Sequence, residues 1–494
     1  MEDERKLNYM STGYYIDYKY TLDLVRRINK AVEVTPVLAN HFQCEGYNLL
    51  ERFQAILWSD TKVWTMEKKV PDGKVTLSIK IKSAVTGLLL LAVSVISLTF
   101  FVFKRRDEVA VFTDDKTEGP FKNDTRLNAV YEALNAGRKR YLEVVHTVPR
   151  SLTFFNFFKR RRFVVYLEAV DFIYQPFIWI KSRKIRHLIS QVDLSSFNAN
   201  ERIFVKNELE KLALGVPASM AKLKLFTWLM KCLRIKLCFS IDDTRHYSEF
   251  VEAGRRCKIP TFAIQHGHFT KYHTGWIKMS KLDGAIMKAD YIVVWSEYWK
   301  NELKKLGSYF KDEDVIVGGA KGGVEKLLLR SGSAIVVPYE KDAPKESVKH
   351  FIDEVMRCGK YEIVFKARAG IEDLNCQLAE YNLMPEDVTV AVDDKEVLKK
   401  VALVAGTYST YLYDCVEKGI PVAIIESEID YGEGMVENGL ASFIKMDNRI
   451  CETIENCVNV SAAELGRREV LLRGEEDIRL SHTLSNLIEK YASD

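Results

Sequence analysis

The stretch 235-IKLCFSIDDTRHYSEFVEAGRRCKIPTFAIQHGH-268 decides how the fold is read. It opens on a short apolar run, IKLCFSI (235–241). A helix-length amphipathic segment follows near 245–257, and then a second short run, TFAIQ (261–265). Two strands separated by one helix need a crossover, and a crossover makes them parallel neighbours in one sheet.

The same alternation extends in both directions. Toward the N-terminus it includes VAVFT (109–113), a helical stretch near 125–137, YLEVVHT (141–147) and longer helices over roughly 163–233. Toward the C-terminus come YIVVWS (291–296), a helix at 297–306 and VIVGG (315–319). After a turn-like LRSGS (329–333) the pattern restarts. AIVVPY (334–339), YEIVFKA (361–367), VTVAV (388–392), VALVAGTYS (401–409), PVAIIES (421–427) and ASFIKM (441–446) alternate with helical segments, and the C-terminal end is helical and charged. The chain is thus expected to be α/β, with two successive units at 107–328 and 333–494. Ligands in such sheets bind outside the carboxyl ends of the strands, and two units facing each other would form a cleft.

Composition limits the function classes. With 494 residues, 47% hydrophobic and 28% charged, the chain is globular and long enough for several domains. A net charge of +4 does not mark a nucleic-acid binder, and none is expected as a partner. Nine scattered cysteines with no tight pair read as reduced thiols of a cytosolic compartment, neither a disulfide frame nor a zinc site.

Residues 1–82 are mixed, rich in Tyr and Trp, and hold one amphipathic segment, YNLLERFQAILWS (47–59); they read as an accessory region. Residues 83–103, SAVTGLLLLAVSVISLTFFVF, carry no charge and are flanked by Lys82 and by Lys104-Arg105-Arg106. A helix of that length reaches roughly 30 Å. Spanning the bilayer, lying on its surface and packing inside the protein all remain open, because basic residues flank both ends. A second membrane candidate is 154-FFNFFKRRRF-163, where aromatics adjoin a basic run. The expected location is a membrane face, with both α/β domains cytoplasmic.

Candidate chemistry gathers at the expected strand exits. IKLCFSI runs into Asp242 and Asp243, and His246 lies close by. TFAIQ runs into Gln265, His266, Gly267 and His268. Carboxylates and imidazoles at one edge suit a general base for an acceptor hydroxyl, with Asp242, Asp243 and His266 as candidates. Gln265, Gly267 and His268 are candidate acceptor contacts, Gly267 either for a turn barred to other residues or for close ligand approach. Either aspartate alternatively caps the following helix. A metal held by His266 and His268 lacks a third ligand, so none is expected.

In the second domain, VALVAG leads into Thr407-Tyr408-Ser409-Thr410 at a helix start, where N–H groups and the dipole favour phosphate. Lys366 and Arg368 end another strand and suit a diphosphate. Glu426 near the end of PVAIIES, with Glu428 and Glu433 after it, are candidate acceptors for ribose hydroxyls. GGAKGG (318–323) has neither GxGxxG nor P-loop spacing and reads as a turn.

Three segments together resemble the GT-B glycosyltransferases that build surface polysaccharides, and their relatives that transfer Kdo or glycerol phosphate. They are 242-DDTRHYSEFVEAGRRCKIPTFAIQHG-267, 289-ADYIVVWSEYWKNELKKLG-307 with 315-VIVGG-319, and 405-AGTYSTYLYDCVEKGIPVAI-424. The likeness spans about residues 107–460. It implies two Rossmann-like domains, a nucleotide-sugar donor bound mainly by the second, a polysaccharide or lipid-linked acceptor held by the first, and no cofactor. Ser409 and Thr410 would bind the donor phosphate, with Lys366, Arg368 and Glu433 beside them. The segment KARAG departs from the Lys and His-Pro pattern of many members, which leaves the donor nucleotide open. A glycerophosphotransferase, a sugar-nucleotide epimerase or a non-catalytic membrane scaffold on the same fold are the rivals.

Overall fold

Leu237–Ile241 and Thr261–Ile264 lie side by side in parallel register, Cys238 opposite Thr261 and Ile241 opposite Ile264, with the helix Ser248–Arg256 between them in sequence. This is the crossover expected from the apolar runs. The structure, a computed structural model, describes residues 17–67, 77–103, 109–114, 123–146, 163–241, 247–272, 274–320, 332–341, 343–368, 373–392, 400–447, 449–474 and 478–492. The chain forms two compact units. One comprises Leu22–Trp295, Trp299–Gly322 and Ile478–Asp494; the other comprises Met1–Thr21, Ser296–Tyr298 and Gly323–Asp477.

The first unit is built on a seven-stranded, wholly parallel sheet. Its strands in chain order are β1 (Val109–Asp114), β2 (Tyr141–His146), β3 (Phe163–Tyr166), β4 (Leu237–Ile241), β5 (Thr261–Ile264), β6 (Tyr291–Val294) and β7 (Val315–Val317). Their order in space is β3-β2-β1-β4-β5-β6-β7. The second unit has six parallel strands, β8 (Ala334–Pro338), β9 (Glu362–Lys366), β10 (Thr389–Ala391), β11 (Val401–Gly406), β12 (Val422–Ile425) and β13 (Ser442–Ile444), in the order β10-β9-β8-β11-β12-β13. Both are doubly wound sheets whose order reverses at one point. That point lies between β1 and β4 in the first unit and between β8 and β11 in the second. The central strands are buried on both faces, which is why they read as near-continuous apolar runs and not as alternating ones.

Three sequence expectations need correction. The C-terminal residues 478–494, expected in the second domain, belong to the first unit. The backbone N–H of Leu480 donates to the Ala320 carbonyl at 2.9 Å, and the Thr483 hydroxyl donates to the Gly318 carbonyl at 2.8 Å. Linear boundaries cannot register a chain that returns. The N-terminal region from Leu22 onward is likewise not a separate accessory. Arg52 and Glu249, both buried, form a two-point ion pair at 2.6 and 3.0 Å. The Tyr47 hydroxyl donates to Glu252 at 2.7 Å, and Glu51 accepts the N–H of Ser280 at 2.7 Å. Thirdly, Cys358 and Cys451 form a disulfide with Cα atoms 6.1 Å apart, joining the helices Lys345–Cys358 and Ile450–Val458. Their separation of 93 residues hid the pair from a reading based on spacing.

The apolar segment 83–103 lies within one long helix, Leu77–Phe103. One face packs along β3, the edge strand of the sheet. The Val164 N–H donates to the Ser97 hydroxyl at 2.6 Å and the Tyr166 N–H to the Ser94 hydroxyl at 3.0 Å. Leu90 and Val93 join a buried cluster with Val145, Val164, Tyr166 and Ala169. At Gly87 a Cβ would come within 2.6 Å of the Phe172 ring, so glycine is what permits this approach. Among the described residues no helix is long and apolar enough to cross a membrane. The stretch 154–162 lies outside the described residues.

Candidate functional site

In doubly wound sheets the ligand crevice lies outside the carboxyl ends of the strands, where the strand order reverses. In the first unit, β1 ends at Asp114 beside this point and β2 ends at His146. These two carry a polar cluster. His146 Nδ1 lies 3.5 Å from Asp114 Oδ1, and His146 Nε2 lies 3.7 Å from Glu168 at the start of the helix following β3. The Tyr247 hydroxyl donates to Asp114 Oδ1 at 3.2 Å. The Arg126 guanidinium bridges Asp114 and fully buried Asp124, donating through Nε to Asp124 at 2.9 Å.

Opposing forces set the charge states here. Burial pushes the Asp114 carboxyl up, but His146 and Arg126 outweigh it and hold it well below the usual carboxylate range. Burial lowers His146, but the bond to Asp114 and the charge of Glu168 outweigh it and raise the imidazole above its ordinary value. The cluster therefore presents a carboxylate and an imidazole biased toward its cation. Sequence reading passed over Asp114, Arg126, His146 and Glu168. The signal was available for two of them: VAVFTD and YLEVVH each end a strand on a polar side chain, the rule that singled out 242–243 and 266.

Asp242 and Asp243 lie outside the described residues, as do His246 and His273; Tyr247, which is described, is in contact with Asp114. At the exit of β5, His266 and His268 are half-buried. Gln265 corrects an expectation. It is 1% exposed, and its amide is spent internally. Nε2 donates to the Gly267 carbonyl at 2.8 Å and Oε1 accepts the Trp295 N–H at 3.0 Å, so the side chain shapes the exit loop and offers nothing outward. Gly267 does not adopt positive φ, but a Cβ there would meet nothing within 4 Å. The turn that only glycine could make is therefore absent at this position.

In the second unit the reversal point is occupied by the protein itself. β8 leads into Glu340 and β11 into Thr407-Tyr408-Ser409. The Glu340 carboxylate, 3% exposed, accepts from the Thr407 N–H at 2.8 Å and its hydroxyl at 2.6 Å. It also accepts from the N–H groups of Tyr408 at 2.9 Å and Ser409 at 2.6 Å. The amides expected to cradle a donor phosphate thus hold an internal carboxylate. The Ser409 hydroxyl caps the helix Thr410–Glu417 by accepting the Tyr411 N–H at 3.2 Å. A hydroxyl that accepts one bond keeps its own proton to donate. Thr410 is exposed at the same rim.

Lys366 ends β9 with its ammonium 5.0 Å from the Tyr411 ring centroid. Gln377 clamps the Arg368 backbone, accepting its N–H and donating to its carbonyl, each at 2.8 Å, while the Arg368 side chain is exposed. Lys366, Arg368, Ser409 and Thr410 all belong to strand exits of one sheet. Glu426 and Glu428 are engaged within the unit, accepting from the Met446 N–H at 2.8 Å and the Ser347 hydroxyl at 3.0 Å. Glu433 is exposed at the start of the short helix Glu433–Glu437. Among the described residues, no group of three or more His, Cys, Asp or Glu is placed to hold a metal ion.

No family model matches the chain, and no curated protein matches it. Solved structures similar to it include a UDP-GlcNAc 2-epimerase from Methanocaldococcus jannaschii, at 11% identity and a TM-score of 0.45, covering 78% of this chain and 99% of that one. MurG from Acinetobacter baumannii is similar at 11% identity and a TM-score of 0.42, covering 78% and 99%. The glycosyltransferase SnogD from Streptomyces nogalater is similar at 11% identity and a TM-score of 0.45, covering 78% and 100%.

Proposed function

We propose that this chain is a GT-B glycosyltransferase that moves a sugar from a nucleotide donor to a polysaccharide or lipid-linked acceptor at a cytoplasmic membrane face. The observation that carries the reading is the pairing of charge with topology. Each doubly wound sheet gathers functional groups at its carboxyl edge, carboxylates and imidazole in the first unit, cations and hydroxyls in the second.

The chemistry divides accordingly. An acceptor hydroxyl attacks the donor's anomeric carbon and gives its proton to a base, for which Asp242, Asp243 and His266 are the candidates. His146, raised above its ordinary value by Asp114 and Glu168, serves as a donor that orients the acceptor. The leaving phosphate gains charge as the glycosidic bond breaks. With the amide cradle filled by Glu340, that charge falls to Lys366, Arg368 and the hydroxyls of Ser409 and Thr410. Glu433 would accept from ribose hydroxyls.

The test is product analysis of the full chain with CMP-, UDP-, GDP- and CDP-linked donors and lipid extract as acceptor. Nucleotide release coupled to a mass increase of one sugar supports the reading, and Lys366→Ala with Arg368→Ala should cut it roughly a hundredfold. A donor epimerised without an acceptor, transfer of glycerol phosphate, or activity indifferent to those substitutions would overturn it.

A further inference from the structure

We propose that the Leu77–Phe103 helix lies in the plane of the membrane surface, one face sealing the sheet edge and the other resting on a bilayer that carries anionic headgroups. The proposal rests on the reading of the chain as membrane-associated, and it is independent of the donor chemistry.

The helix has two distinct faces. Leu90, Val93, Ser94 and Ser97 are buried against the sheet, whereas Val85, Leu88, Leu89, Val95, Ile96 and Phe100 are each 49–58% exposed. Those six recur at helical spacing and form one continuous apolar row, which isolated surface hydrophobes do not. The adjacent helix Leu167–Ile189 adds exposed Ile173, the neighbour of the Phe172 ring that meets Gly87.

A transmembrane span does not fit this packing. The Ser94 and Ser97 hydroxyls satisfy the Tyr166 and Val164 amides of edge strand β3. Inserting the helix across the bilayer would strip those amides of their partners or carry a sheet edge into hydrocarbon, where unpaired backbone groups are not tolerated. A helix lying flat keeps those bonds and buries only the exposed row.

Charge identifies the occupant. Lys80 and Lys82 precede the apolar run, and Lys104-Arg105-Arg106 directly follows Phe103. The two serine bonds set β3 antiparallel to the helix, and in sequence β3 directly follows 159-KRRR-162. An apolar row with basic sequence at both ends complements anionic lipid. It disfavours a second copy of itself, whose paired ends would bring like charges together.

The test is flotation of the full chain with phosphatidylcholine vesicles, with and without phosphatidylglycerol, comparing wild type with the double variant Leu89→Glu/Ile96→Glu. Both positions are exposed, so the fold and any nucleotide-induced thermal shift should persist. The wild type should float with the anionic vesicles and be released by alkaline carbonate, and the variant's partition should fall roughly tenfold or more. Carbonate-resistant insertion, unaltered flotation of the variant, or a lipid-free wild-type dimer that the variant dissociates would overturn the proposal. Loss of donor turnover with flotation intact would count against the proposed function alone.

Discussion

Glu340 is the residue whose removal should say most about the second unit. Its buried carboxylate accepts four hydrogen bonds from Thr407, Tyr408 and Ser409. Truncation to alanine leaves three amides and one hydroxyl without their acceptor at the point where the strand order reverses. Each unsatisfied buried donor costs about 1–3 kcal/mol. The two on Thr407 are fully enclosed, and those on Tyr408 and Ser409 are half-buried. Allowing for water at the latter pair and for non-additivity, Glu340→Ala should lose about 3–6 kcal/mol. For a unit of this size that lowers the melting temperature by on the order of 10 °C. Glu340→Gln keeps one acceptor oxygen and should lose roughly half as much. The assay is calorimetry of the full chain, repeated in inorganic phosphate. Phosphate should restore Glu340→Ala more than it stabilises the wild type, because the emptied cradle suits an anion. A loss below about 1 kcal/mol, or an equal response of both proteins to phosphate, would refute the reasoning.

Three further outcomes are expected. The His146 imidazole should titrate above its ordinary value of 6.5 by NMR, and Asp114→Asn should lower it; its raised value contributes stability that is complete below pH 6.5 and is lost as pH rises through the folded-state value. Burial pushes the Glu51 carboxyl up to about 7 from 4.5, against the opposing pull of the Ser280 and Met279 amides. Its ionisation therefore weakens the fold as pH rises from 4.5 through about 7, by about 3 kcal/mol in all, and Glu51→Gln should flatten the urea-unfolding stability across that window. Glu249→Ala, which strands the buried Arg52 guanidinium, should lose about 3–5 kcal/mol, whereas Arg52→Met with Glu249→Leu should lose much less in the same measurement.

The strand exits were legible because two-sided burial writes a strand as a compact apolar run, so the next polar residue marks the rim. That logic located Lys366, Arg368 and Ser409 at one sheet edge and His266 at the other. Applied evenly, it also reaches Asp114 and His146. What stayed hidden depended on partners distant in sequence. Gln265 looked like a ligand contact until Trp295, thirty residues on, was seen to take its amide oxygen. Glu340 carries no local motif; its importance comes from β8 and β11 being neighbours, which chain order does not announce. The apolar row at 85–100 was visible as hydrophobicity, but its division into two faces was fixed by Ser94 and Ser97 meeting β3.

The central claim is that the second unit binds a nucleotide donor through side-chain cations at its sheet edge. Calorimetric titration of the full chain with CMP, UDP, GDP and CDP tests it most directly. One nucleotide should bind, and its affinity should fall about tenfold or more, at least ~1.4 kcal/mol, in Arg368→Ala and again in Lys366→Ala. Binding of none of the four, or binding unchanged in the double variant, would contradict it.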